Sequence, residues 1–99
     1  MLATARVAGA PAEIDSHERL VSAGCAIQNL LLMATAQGFG SALTSGKAMH
    51  STALRDLFRL DAGEQALCFI SIGTGQPRQP GRARPAVDRY VSVLSPPLR

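Results

Sequence analysis

The feature that most constrains this chain is an uninterrupted helical segment from Ser16 to Gln37, apolar on nearly every side. Asp15, with Glu18 three residues on, has the form of a capping box, the Asp side chain accepting from an early backbone N–H and the Glu reaching back. No proline follows until well beyond the segment, and Gly38 with Gly40 supplies the stop. At 1.5 Å per residue the helix spans about 33 Å, long for so short a chain. Leu20, Val21, Ile27, Leu30, Leu31, Leu32 and Met33, with Ala23, Ala26, Ala34 and Ala36, cover more than the single stripe of a surface helix. Such a helix is central to a larger core or shared across an interface.

With 99 residues there is room for one small domain, residues 1–99, and 46% hydrophobic content makes it globular rather than disordered. Chains of this size bury only about two thirds of their unfolded surface, so an all-round apolar helix is hard to cover without a partner. Ser22, Gln28 and Asn29 interrupt the apolar stretch and would be poorly satisfied in lipid, so it reads as no transmembrane span. The start MLATARVAGAPAE lacks the basic-then-apolar form of a signal peptide. Cys25 and Cys68 have neither metal-ligand spacing nor a framework pattern; both read as small core residues of a cytoplasmic protein. Gln28 and Asn29 read as a buried polar pair that needs partners.

Around the helix, Leu2 to Val7 reads as a short strand and AGAPAEID as a loop. GFGSALTSGK reads as a loop, Ser51 as the cap of a short helix carrying Leu54, Leu57 and Phe58, and Asp61 to Gln65 as a turn. Ala66 to Ile72 is an unbroken apolar run of the kind found in a strand buried on both faces. Tyr90 to Leu94 is a candidate terminal strand. Residues 76–99 form a basic Pro, Gly and Arg-rich segment in which Arg78, Arg82, Arg84, Arg89 and Arg99 face only Asp88. A single Tyr and no Trp leave no stacking platform, so the charge does not read as a nucleic-acid site.

Short motif matches fail on spacing. Gly40 and Gly46 are separated by five residues rather than four and Lys47 is followed by Ala48, which excludes a P-loop; Leu43 stands where a dinucleotide fingerprint needs its third glycine. His17 and His50 read as surface histidines, no Gly-x-Ser-x-Gly elbow occurs, and the carboxylates are scattered. Chemistry in such a chain belongs to a cofactor.

Taken together, SAGCAIQNLLLMATAQGFGSALTSG, then LRDLFRLDAGEQALCFISIGTGQP, then Arg82 to Pro85 (RARP), resembles the C-terminal half of the nitroreductase family of FMN-dependent NAD(P)H oxidoreductases, from about Arg6 to Leu94. The resemblance implies a partial nitroreductase-like α+β fold, a long buried central helix packed on a β-sheet, and a homodimer with flavin sites at its interface. It implies that Leu43, Thr44, Ser45 and Gly46 pass beside the flavin ring, a backbone N–H directed at N5, and that Arg82 and Arg84 bind the FMN phosphate. NAD(P)H would deliver hydride and a nitroaromatic or quinone would be reduced. From the residues alone, the 43–46 loop also reads as an ordinary connection and the two arginines as solvated charges. The family's N-terminal Arg-Arg-Ser segment has no counterpart here, so the alternative is a non-catalytic dimerisation module derived from the same fold.

Overall fold

The computed structural model describes residues 1–9, 11, 13–75 and 80–97. Its elements are β1 (Leu2–Arg6), α1 (Ser16–Ala36), β2 (Phe39–Thr44), a 3-10 turn (Lys47–His50), α2 (Thr52–Leu57), β3 (Glu64–Thr74) and a second 3-10 turn (Val87–Arg89). The three strands form one antiparallel sheet in the order β1-β3-β2, with β3 in the centre. Helices plus an antiparallel sheet make the fold α+β.

Helix α1 begins where its cap dictates. Asp15 Oδ1 accepts from the His17 backbone N–H at 2.8 Å, satisfying one of the orphan donors of the first turn. At the other end Gly38, at φ +85, turns the chain out while its N–H donates to Thr35 O. Along its length Leu20, Ala23, Ile27, Leu30, Leu31 and Ala34 recur at helical spacing on the sheet-facing side, where α1 packs on β1 and β2. By length and composition α1 could also cross a membrane, but here that stripe lies on the sheet.

The opposite side of α1 corrects the expectation of a buried central helix. Only Ala34 is buried, while Val21, Leu32 and Met33 are 57–68% exposed. Gln28 and Asn29 lie on this outer side and face solvent, so their amides need no protein partner. Cys25 is exposed as well; only Cys68 occupies the core.

Strand β3 is longer than its apolar run predicts. Ala66, Cys68 and Ile70 are buried on one face, and the intervening Phe69 meets Phe58 of the α2 end at 6.3 Å between ring centroids. A register shift between Ala3 and Thr4 marks a bulge in the β1 pairing.

Two further expectations are corrected. Phe39–Thr44, read as loop, is a strand paired residue for residue with β3 from Phe39↔Thr74 to Thr44↔Phe69. Tyr90 to Leu94, read as a strand, follows a 3-10 turn and pairs with nothing among the described residues. Residues 80–97 are exposed throughout. The radius of gyration is 18.2 Å, well above the roughly 13 Å of a compact domain of about 100 residues.

Candidate functional site

The end of β2 shapes the site. Leu43 and Thr44 are the last paired residues, opposite Ile70 and Phe69 of β3, after which the chain leaves the sheet at Ser45 and Gly46. Gly46 adopts φ +144, a conformation that side chains disfavour, and a Cβ built there would meet no atom within 4 Å. Its carbonyl accepts from Met49 N–H at 3.0 Å, closing the 3-10 turn. Met49 is 5% exposed and anchors that turn against β3.

Beyond the turn, Ser51 serves two elements at once. Its Oγ donates to Ala48 O at 2.9 Å and accepts from Leu54 N–H at 3.2 Å, capping α2 as its sequence predicts.

These elements enclose a cleft of about 390 Å³ lined by Ser45, Gly46, Lys47 and His50 on one side and Gln65, Ala66 and Leu67 on the other, with Met49 between. Ser45 and Gly46 of the expected site line it; Leu43 and Thr44 lie behind them in the strand. From sequence, His50 reads as a surface histidine, Lys47 enters only the rejected P-loop match, and Gln65 falls in a turn; none is named as a site residue. Their signal was the Lys47/His50 spacing in a one-turn 3-10 helix, where residues i and i+3 eclipse.

Whether this segment suits a flavin depends on its donors. Among the described residues, no protein acceptor receives the N–H groups of Ser45, Gly46 or Lys47. Three backbone donors with no acceptor among the described residues, on a segment with no side chain at Gly46, fit the close approach of a planar ring that carries nitrogen and carbonyl acceptors.

Arg82 and Arg84 are exposed and lie in an irregular stretch. Neither forms an ion pair among the described residues, and no hydrogen bond links them to residues 43–46. Within one chain, therefore, Ser45 and Gly46 share a cleft, and no hydrogen bond joins the arginine pair to them among the described residues. Arg89 is exposed on the second 3-10 turn, and Arg78 and Arg99 lie outside the described residues.

The arrangement of a β1-β3-β2 antiparallel sheet, covering helix and glycine-marked strand end is a nitroreductase-like fold. A nitroreductase-like family protein from Bacillus cereus superposes with a TM-score of 0.81 over 92% of this chain and 48% of that one, at 20% identity. Residues 2–74 match the profile of the Nitroreductase family, and the chain belongs to that family. It is 41% identical over 64 residues to a Haemophilus influenzae protein, and 36% identical over 64 residues to YdjA of Escherichia coli K12. Both carry names describing an NAD(P)H nitroreductase. Each match spans 65% of this chain and 35% of the relative, so about a third of those proteins' length is represented.

Proposed function

We propose that this chain is part of an FMN-dependent NAD(P)H oxidoreductase of nitroreductase type. The observation that carries the reading is the β2 exit, where the N–H groups of Ser45 and Gly46 have no acceptor among the described residues and lie beside a cleft. A flavin bound here would supply hydride-transfer chemistry between NAD(P)H and a nitroaromatic or quinone-like acceptor. This chain's share is binding and tuning. The N–H groups of residues 45 and 46 would donate to acceptors on the ring edge, with Leu43 and Thr44 holding the segment in register with β3, and a donor there alters the ring's electronics. Arg82 and Arg84 would hold the phosphate, each guanidinium able to fork onto its oxygens. A visible absorbance spectrum after incubation with FMN and desalting tests the reading: retained flavin bands support it, and their loss from a folded chain counts against it.

Self-association belongs to the same reading. The outer side of α1 exposes Val21 and Leu32, and Val93 and Leu94 of the tail are 86% and 96% exposed. Apolar groups left in water favour a partner surface, and a homodimer pairs one such patch with itself. The same exposed faces also favour the second reading, a dimerisation module without flavin. A cytoplasmic setting accords with two free cysteines.

A further inference from the structure

Lys47 and His50 open and close the 3-10 turn, and the three-residue period of such a turn places them on one side of it. Both border the cleft beside Ser45 and Gly46, facing Gln65, Ala66 and Leu67. The lining thus holds two basic side chains and no carboxylate. The adjacent Glu64 directs its charge elsewhere: its Oε2 accepts from Thr4 Oγ1 at 3.4 Å and its Oε1 lies 3.8 Å from Arg6 Nη2, both on β1. Neither Lys47 nor His50 forms an ion pair among the described residues. Of the apolar lining residues, Leu67 is the one left partly exposed, while Ala66 and Met49 are buried at 2% and 5% exposure. The volume of about 390 Å³ lies within the roughly 300–1,000 Å³ of small-molecule sites.

We infer that this cleft takes a small organic acid, an apolar ring bearing a carboxylate, with Lys47 as the residue that selects the negative charge. The ring lies against Leu67 at the β3 side of the cleft, the carboxylate meets the Lys47 ammonium, and the Gln65 amide and His50 imidazole supply further donors. The inference deepens the proposed function and rests on it for one step, that the acid bound here is the electron acceptor. Acceptors carrying a carboxylate are then preferred over neutral ones of the same shape.

The test uses the full chain without flavin, so that its outcome is independent of FMN retention. The ¹⁵N-labelled protein is titrated at low ionic strength with 4-nitrobenzoate and with the neutral 4-nitrobenzyl alcohol, following the amide signals of Lys47, His50 and Gln65. The expected result is a preference for the acid of about twofold to fivefold, the scale of one exposed ion pair. K47E abolishes that preference and K47R retains it, with circular dichroism confirming that both variants fold. Equal affinity for the two probes, a preference unchanged in K47E, or shifts confined to other residues would overturn the inference. If the acid is selected but FMN is not retained, the cleft assignment stands and the flavin reading fails.

Discussion

Arg6 and Asp61, 55 residues apart in sequence, meet in a two-pronged ion pair, Nη2 to Oδ2 at 2.6 Å and Nη1 to Oδ1 at 3.2 Å. The pair ties the end of β1 to the turn that launches β3. Hydrogen bonding from Arg6, then from the Gly63 N–H, holds the Asp61 carboxyl below its ordinary value of 3.8. A carboxylate with a depressed folded value stabilises the fold above its unfolded value, and that contribution is lost as pH falls through the folded one. Asp61→Asn should therefore lower the urea midpoint at pH 7, and the gap to the parent should close as pH falls from about 4 toward 2. A gap that persists undiminished at pH 2 would show that the pair does not act through its charge. Both side chains are about half exposed, so the effect is small.

The same corner holds a steric constraint. Gly63 O accepts from Val7 and Ala8 N–H, and a Cβ at Gly63 would stand 2.7 Å from Ala8 O and 2.8 Å from Arg6 Nη1. The arginine tip can move aside, but the carbonyl belongs to the backbone. Gly63→Ala should cost about 1–3 kcal/mol, the usual range for overpacking, measured by urea unfolding.

Loss of the Ser51 hydroxyl removes the α2 cap and the bond to Ala48 O together. Ser51→Ala should destabilise by about 1 kcal/mol. Ser51→Asp, which keeps an acceptor for Leu54 N–H, should recover part of that loss in the same unfolding assay.

If Arg82 and Arg84 hold the flavin phosphate, the double alanine variant should weaken FMN binding by on the order of tenfold or more, read by flavin fluorescence titration. Riboflavin, which lacks the phosphate, should bind parent and variant alike. Parent-like FMN affinity in the double variant would remove the phosphate assignment while leaving the 43–46 segment untouched.

Leu32 is 57% exposed on the outer side of α1, so Leu32→Glu should leave the fold intact by circular dichroism. It should shift the mass measured by light scattering toward monomer if that side is the self-association surface. An unchanged oligomer would place the contact elsewhere, with the tail as the next candidate.

Local chemistry was legible in the residues themselves. Asp15 starts α1, Gly38 ends it and Ser51 starts α2, because capping acts within one turn and needs only neighbours in sequence. The apolar run at 66–72 marked the central strand for the same reason, as a sustained pattern rather than a pairing. Ser45 and Gly46 could be named as candidate site residues, but only through the family resemblance; their own composition reads equally as a connection.

What the amino-acid order could not settle was everything that depends on distant partners. FGSALT has little strand preference of its own, and becomes β2 because Ser41 and Leu43 pair with Ile72 and Ile70, about thirty residues away. Composition made α1 apolar all round; the three-strand sheet covers one side and leaves Gln28, Asn29 and Cys25 in solvent. The Lys47–His50 cleft likewise exists only because the chain beyond β2 folds back against β3. The sequence by itself determined where elements start and stop, because caps and apolar runs are local. Which faces are buried and which side chains share a cleft was decided by tertiary pairing alone.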